Sequence, residues 1–176
     1  IRCELESAPK YFMFSSDGRF FYVLYELKNM IEVYSYKEGE RVPIVEKIQT
    51  IPSTGSKPNQ LTAACAMHLS PDEKHLFCSN AGDNTVSMYD RDDETGMLTM
   101  RFCLPISGDY PKDLVIFPDN QHIAVANHSS NSITTFKVDY EKNIIMMKGK
   151  PRKIETPNCI NIWPVPDGED IEDIEA

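Results

Sequence analysis

A short polar turn followed by a run of apolar residues occurs three times in this chain, and no other feature limits its fold so strongly. The turns contain Asp17, Asp72 and Asp119, which lie 55 and 47 residues apart. Repeats of about 40 to 50 residues with strand-like content are typical of the blades of a β-propeller. The spacing therefore predicts an all-β propeller built from one repeated unit.

The repeat extends well beyond the turn. Asn29, Asn84 and Asn131 occupy equivalent positions, and each begins a run in which apolar and polar residues alternate. Asparagine tolerates the left-handed backbone of a tight turn, so each run is predicted to be a third strand entered from a hairpin. Fourth strands are predicted around residues 45–51, 98–104 and 144–148. Each unit is thus expected to contain four short antiparallel strands and no helix.

These units predict a partial β-propeller over residues 1–165, with blades at about 7–54, 62–107 and 109–155. Residues 1–7 are predicted to be the last strand of an earlier blade and 156–165 the first strand of a later one, followed by an acidic, solvated tail at 166–176. Propellers have about 4 to 8 blades, so these three and a half blades make about half of a seven-bladed ring. Because an open ring exposes sheet edges, we expect either further chain before Ile1 or self-association of two copies.

Charge and cysteine content exclude several classes of protein. The net charge of −9 disfavours nucleic acid as a partner, since phosphate backbones are bound by clustered Lys and Arg. No apolar run approaches the length of about 18 residues that a membrane span needs, so no membrane partner is expected. The five cysteines are an odd number without a Cys-x-x-Cys pair. This pattern favours reduced, mostly buried thiols in a cytoplasmic protein over disulfides or a zinc site.

A residue that differs in character from its counterparts in the other units is a candidate for function, because positions that only build a blade should be alike. His68 corresponds by spacing to Met13 and Val115. A titratable ring therefore replaces an apolar residue on a predicted innermost strand. The alternative interpretation is a histidine that is hydrogen-bonded in the core.

A second set of counterparts lies just past the second strand and consists of Glu26, Ala81 and His128. In a propeller such positions surround the mouth of the central channel, where a carboxylate and an imidazole from different blades could converge. The alternative interpretation makes Glu26 a solvated rim charge and His128 a turn residue.

A resemblance to a known family rests on three segments, "PKYFMFSSDGRFFYVLYEL", "HLSPDEKHLFCSNAG" and "PKDLVIFPDNQHIAVAN". They resemble the later blades of the seven-bladed β-propeller lactonase family, which includes bacterial 6-phosphogluconolactonases and fungal carboxymuconate lactonizing enzymes. The resemblance covers nearly all of residues 7–165. It implies that Glu26, in "YEL", matches the family's proposed catalytic glutamate and that His68 matches the family's histidine in this blade.

The cationic positions depart from the family's pattern. Lys10 and Lys112, the counterparts of Cys65, follow prolines at places where the family usually has Arg. Lysine keeps the positive charge but lacks the fork that binds a carboxylate or phosphate through two hydrogen bonds. Ala81 stands where the family commonly has Arg. We expect Lys10, Lys112 and His128 to bind the anionic part of a substrate with fewer cations than the family provides.

The resemblance implies a lactonase that hydrolyses a sugar-acid lactone similar to 6-phosphogluconolactone. Attack of water on the ring ester requires a base and a proton donor or electrophile. Glu26 is expected to be the base and His68 the donor or electrophile, with no metal and no cofactor. A lactonizing cycloisomerase would use the same groups in reverse. The alternative from another class is a non-catalytic propeller that binds a metabolite or a protein partner, which Ala81 favours.

Overall fold

The computed structural model describes residues 2–163, which form β-strands and no helix. Twelve strands make three four-stranded antiparallel sheets in which strands adjacent in the chain are adjacent in the sheet. The first sheet contains β1 (Pro9–Phe14), β2 (Phe20–Tyr25), β3 (Met30–Lys37) and β4 (Ile44–Pro52). The second contains β5 (Ala63–Leu69), β6 (His75–Ala81), β7 (Thr85–Arg91) and β8 (Leu98–Pro105). The third contains β9 (Pro111–Ile116), β10 (His122–Asn127), β11 (Ser132–Asp139) and β12 (Ile144–Met147), and the two-residue β13 (Arg152–Lys153) also pairs with β11. The predicted all-β class with four-stranded antiparallel blades is confirmed.

Each blade turns from its first strand to its second through the aspartate that marks the repeat. The carboxylates of Asp17, Asp72 and Asp119 each accept a hydrogen bond from the backbone N–H two residues later, at 3.0, 3.2 and 2.8 Å. Such a contact closes a turn with the side chain in place of a backbone carbonyl. The repeated aspartate therefore encodes one repeated backbone conformation.

The three equivalent asparagines turn the chain and also connect the blades. Their φ angles are 49°, 55° and 51°, in the left-handed region that asparagine tolerates better than most residues. Their side chains hydrogen-bond at 2.8 to 2.9 Å to residues that lie before β5, before β9 and after β13; these pairs are Asn29 with Thr62, Asn84 with Tyr110, and Asn131 with Thr156. One residue type thus serves both the hairpin and the contact with the following unit.

Two apolar clusters hold the sheets together face to face. Between the first and second sheets, Tyr22 and Leu24 pack with Met67 and Tyr89. Between the second and third sheets, the fully buried members are Phe77, Val86, Met88, Leu114, Ile123 and Val125. Stacking in this order brings the first strands of the three blades together, because β5 contacts β1 on one side and β9 on the other. Equivalent positions on these inner strands therefore lie side by side.

The free face of the first sheet is apolar and aromatic. Phe12 and Phe14 are 56% and 42% exposed and pack against Phe21, with ring centroids 5.2 and 5.3 Å away. A face of this kind is what the predicted covering by further blades or by a second copy would bury.

Neither strand predicted at the ends of the repeat forms within the described residues, and the assignment of these two segments to neighbouring blades stays a prediction. Residues 2–7 form no strand, and Ser7 Oγ donates to the carbonyl of Glu4 at 2.7 Å in a local turn. Residues 156–163 form no strand either. A blade's first strand pairs with the second strand of the same blade, and no such strand follows within the described residues. The acidic segment 166–176 lies outside the described residues.

All five cysteines are free thiols, as predicted. Cys65 and Cys78 are buried and Cys103 is partly buried, whereas Cys3 and Cys159 are exposed. The prediction of mostly buried thiols is therefore wrong for the two cysteines that lie outside the sheets.

Candidate active site

Each inner strand contains a β-bulge at the same place. In β1, Pro9 and Tyr11 pair with consecutive residues of β2, which leaves Lys10 as the extra residue. The same irregularity leaves Cys65 extra in β5 and Lys112 extra in β9. Bulges redirect a side chain and are frequent next to active sites. The set of counterparts that the sequence analysis selected is thus the bulged residue of each blade.

Glu26 and Lys10 form an ion pair at the first bulge. Glu26 follows β2, and its N–H donates to the carbonyl of Ala8 at 2.9 Å, which fixes it beside the start of β1. Lys10 Nζ donates to Glu26 Oε1 at 2.6 Å and lies 3.8 Å from Cys65 Sγ. Burial works to lower the pKa of Lys10, but the hydrogen bond to Glu26 and the attraction of neighbouring acidic groups raise it overall. Oε2 of Glu26 makes no hydrogen bond with the described residues and is free to accept one.

In the second blade, the counterparts of Lys10 and Glu26 are Cys65 and Ala81, and neither contributes a charge to the site. Burial raises the pKa of the Cys65 thiol, although the cations of Lys10 and Lys112 oppose the effect. The thiol is therefore neutral near pH 7. Ala81 pairs with the start of β5 and is almost fully buried.

Lys112 and His128 are brought together through Tyr110 in the third blade. Lys112 Nζ lies 5.4 Å from the centroid of the Tyr110 ring, and the His128 ring lies 5.9 Å from the same ring. The N–H of His128 donates to the carbonyl of Tyr110 at 2.9 Å, while its Nδ1 is buried without a hydrogen-bond partner. Among residues 2–163, no carboxylate forms an ion pair with Lys112.

His68 contacts the inner strands of both neighbouring blades. Its Nε2 lies 3.2 Å from Tyr11 Oη on β1 and 3.2 Å from Asp113 Oδ1 on β9. The Tyr11 ring packs edge-on against the imidazole, with centroids 5.1 Å apart. The histidine side chain is 26% exposed. Its counterpart Met13, by contrast, packs against the apolar cluster between the first and second sheets.

Asp113 is a site residue that the sequence analysis missed. It is 8% exposed, and its two carboxylate oxygens accept hydrogen bonds from the N–H groups of Leu114 and Ile160, at 2.9 and 3.0 Å. Burial would raise the pKa of Asp113, but the hydrogen bonds from His68 and these two amides hold it below its usual value. The comparison of counterparts that selected His68 also applies here, because Asp113 corresponds by spacing to Tyr11 and Ala66.

The predicted residues therefore form three neighbouring groups along the inner strands. Lys10 and Glu26 make the first, His68 with Asp113 the second, and Lys112 with His128 the third. Glu26 and His68 do not hydrogen-bond to each other, and they are connected through the consecutive residues Lys10 and Tyr11. Among the residues that the structure describes, no group of three or more His, Cys, Asp or Glu side chains is placed to hold a metal ion.

Comparison with known proteins places the chain in a family. Residues 1–162 match the model of the lactonase family with a seven-bladed β-propeller. The chain belongs to this family. The lactonase resemblance stated from the sequence is therefore confirmed.

Relatives within the lactonase family share its sequence and fold. A 6-phosphogluconolactonase of Formosa agariphila is 29% identical over 163 residues, covering 92% of this chain and 43% of its own length. A candidate 6-phosphogluconolactonase of Bacteroides fragilis, known from a crystal structure, is 27% identical with a TM-score of 0.79, over 90% of this chain and 43% of its own. A periplasmic gluconolactonase of Pseudomonas aeruginosa, at 24% identity and a TM-score of 0.81, covers 89% of this chain and 43% of its own, and shares the fold.

The chain spans less than half the length of the relatives it matches. This coverage agrees with the sequence interpretation of a partial propeller. Within residues 2–163, nothing forms a helix long and apolar enough to cross a membrane.

Proposed function

We propose that this chain is part of an enzyme that hydrolyses a sugar-acid lactone of the 6-phosphogluconolactone type. The observation that carries the proposal is the convergence on neighbouring inner strands of three groups: a carboxylate with one free oxygen, an imidazole bound to a carboxylate, and a lysine without an acidic partner. Membership of the lactonase family supports the reaction class. The names of the relatives support the substrate class.

Glu26 is the base in this proposal. Hydrolysis begins when a water oxygen attacks the ring carbonyl and gives up a proton. Oε2 of Glu26 is available for that proton, while Oε1 is held by Lys10 at 2.6 Å. The ammonium of Lys10 also places a positive charge next to the oxygen on which negative charge develops.

His68 is the proton donor. When the tetrahedral intermediate collapses, the bond between the carbonyl carbon and the ring oxygen breaks, and that oxygen needs a proton. His68 supplies it and is reprotonated from solvent, while Glu26 returns to solvent the proton that it took from the water. The products of one turnover are a hydroxy acid and, once the acid ionises, one released proton. Water is the only co-reactant.

Lys112 binds the anionic part of the substrate. Its charge is not neutralised by a carboxylate among the described residues, whereas that of Lys10 is paired with Glu26. The rings of Tyr110 and His128 belong to the same group, with the Tyr110 ring 5.4 Å from Lys112 Nζ. When the anionic group of the substrate binds to Lys112, the lactone ring of the same molecule faces Glu26 and His68.

The direct test is the rate of acid release from 6-phosphogluconolactone with the full-length protein. We expect release well above the spontaneous rate, and a rate equal to the spontaneous one would exclude the proposal. Lys148→Ala is a matched control because Lys148 is exposed and lies outside the three groups. It should retain the wild-type rate.

One observation favours a second candidate function. Cys65 and Ala81 give the second blade no charge at the site, so the free cation of the site is Lys112 alone among residues 2–163. A site with so few cations suits binding of a sugar acid without turnover. In that case the protein would bind 6-phosphogluconate and show no hydrolysis. The cytoplasmic location and the self-association of the chain also stay predictions.

A further inference from the structure

We propose that Asp113 is a positioning residue for His68, which directs the Nε2–H of the imidazole at its carboxylate and leaves Nδ1 as the nitrogen that exchanges a proton with the substrate. The inference rests on the proposed lactonase function. It goes beyond that function by assigning the role of a residue on a different blade and the atom through which the proton passes.

The contact between Asp113 and His68 determines which ring nitrogen carries hydrogen. Asp113 Oδ1 lies 3.2 Å from His68 Nε2, and an ionised carboxylate can only accept hydrogen bonds. Nε2 must therefore carry the hydrogen. If Nε2 were the unprotonated nitrogen, its lone pair would face a carboxylate in a buried place, which is unfavourable.

Two backbone amides hold the Asp113 carboxylate in place. Leu114 N–H donates to Oδ1 at 2.9 Å, and Ile160 N–H donates to Oδ2 at 3.0 Å. Both oxygens are thus tied to the backbone of two separate segments. The carboxylate cannot turn away from His68 without losing one of these bonds. The segment around Ile160, which is not a strand, therefore has a structural role at the site.

Two other titratable groups face the pair of His68 and Asp113. Tyr11 on β1 and Cys159 beside Ile160 both lie close to Asp113. Burial and the Asp113 charge raise the pKa of Tyr11, and the contact with Asp113 raises the pKa of the Cys159 thiol. Both groups are therefore neutral near pH 7. The negative charge that faces His68 from these elements belongs to Asp113.

The two ring nitrogens of His68 therefore have different roles. Nε2 is occupied by Asp113 and lies beside Tyr11 Oη. Nδ1 makes no hydrogen bond with the described residues, and the side chain is 26% exposed. The proton that His68 gives to the ring oxygen of the lactone therefore leaves from Nδ1–H. While the ring is protonated, Asp113 balances its positive charge.

The test uses Asp113→Asn in the full-length protein. An asparagine at this place meets two backbone N–H donors with one oxygen, so its amide nitrogen opposes one of them in either orientation. We expect kcat for 6-phosphogluconolactone to fall by roughly 100-fold with little change in KM, since acid–base steps contribute about that much. Asp119→Asn is the matched control because Asp119 forms an exposed pair with His122 in a turn of the same blade. It should keep the wild-type kcat.

A second readout separates positioning from a general loss of structure. In protein labelled with ¹⁵N-histidine, the two ring nitrogens of His68 give distinct NMR signals for each tautomer, and His68→Gln assigns them. The wild type should show a single tautomer with hydrogen on Nε2, and Asp113→Asn should show a mixture. If Asp113→Asn does not fold, Ile160→Pro removes one N–H that anchors the carboxylate and should also lower kcat and mix the tautomers.

The outcomes are distinguishable. An unchanged tautomer in the folded Asp113→Asn variant overturns the positioning role, even in an active enzyme. A changed tautomer with an unchanged kcat overturns the transfer through Nδ1. If the wild type does not hydrolyse the lactone, the proposed function fails, while the NMR experiment still decides whether Asp113 sets the tautomer of His68.

Discussion

The ammonium of Lys10 and the carboxylate of Glu26 lie 2.6 Å apart, one on the bulge of β1 and the other directly after β2. The sequence suggested separate roles for them, as an anion-binding cation and a general base. In the structure they form one unit, in which Lys10 fixes one carboxylate oxygen and leaves the other free. Any change in Lys10 must therefore also affect Glu26.

Glu26→Gln should lower kcat for lactone hydrolysis by about 100-fold, because an amide is isosteric with the carboxylate but cannot accept the proton of the attacking water. KM should change little, since Lys112 binds the anionic group. The measurement is the initial rate of acid release at several substrate concentrations. Glu141→Gln, on an exposed turn, is the control. A wild-type kcat in Glu26→Gln would remove Glu26 from the mechanism.

Lys10→Met should also reduce kcat, because it frees the oxygen that Lys10 holds and removes the positive charge near the oxyanion. Since the two residues act as a unit, the double variant with Glu26→Gln should be little slower than the slower single variant. Rates of the two single variants and the double variant form the required cycle. Fully multiplicative losses would show that Lys10 and Glu26 act independently.

Lys112→Ala should raise KM for 6-phosphogluconolactone by about tenfold, which corresponds to roughly 1.4 kcal/mol of binding free energy. The same lactone without its phosphate should be affected much less, because it lacks the anion that Lys112 binds. Comparing KM for the two substrates tests this, with Lys148→Ala as the exposed control. An equal rise for both substrates would place Lys112 away from the phosphate.

The repeat predicted most of the fold because each of its marker residues determines a local conformation. Asp119 closes a turn with its own carboxylate, and Asn131 adopts a left-handed φ of 51°. Such effects act within a few residues and can be recognised in any unit. The segment 156–163 does not form the predicted strand within the described residues. A strand also requires a partner, and the partner cannot be inferred from the segment itself.

The candidate site was predictable only in part, for a related reason. His68 stood out because its counterparts are apolar, and the same comparison would have selected Asp113, whose counterparts are Tyr11 and Ala66. The contact between these two side chains, however, joins different blades. It depends on how β5 and β9 lie side by side. The distance between two side chains on different blades cannot be derived from their spacing along the chain.

Asp113 should make the protein sensitive to acid. Burial raises its pKa, but the hydrogen bonds from His68 and from the amides of Ile160 and Leu114 outweigh burial, so the folded pKa lies below the ordinary value of 3.8. A lowered carboxyl pKa stabilises the folded state above that ordinary value, and the contribution is lost as the pH falls through the lower folded value. The free energy of unfolding of Asp113→Asn should therefore fall less between about pH 5 and pH 2 than that of the wild type. Urea titrations at several pH values measure this, with Glu141→Gln as control, and equal slopes for Asp113→Asn and wild type would contradict it.

Asn84 should stabilise the fold in two separable ways. It has a φ of 55°, and its side chain accepts from the N–H of Tyr110 at 2.9 Å and donates to Asp109 at 2.8 Å, which connects the second blade to the third. Asn84→Gly keeps the left-handed turn but loses these bonds, so it should cost about 1 kcal/mol of unfolding free energy. Asn84→Ala loses the bonds and also strains the backbone, so it should cost about 1 kcal/mol more than the glycine variant. Urea unfolding of both variants separates the two contributions, and equal stability of the alanine and glycine variants would show that the turn conformation costs alanine nothing.

Because Tyr110 carries the group that contains Lys112 and His128, both variants should also raise KM for 6-phosphogluconolactone. A loss of stability without any change in KM would show that the position of Tyr110 does not depend on Asn84.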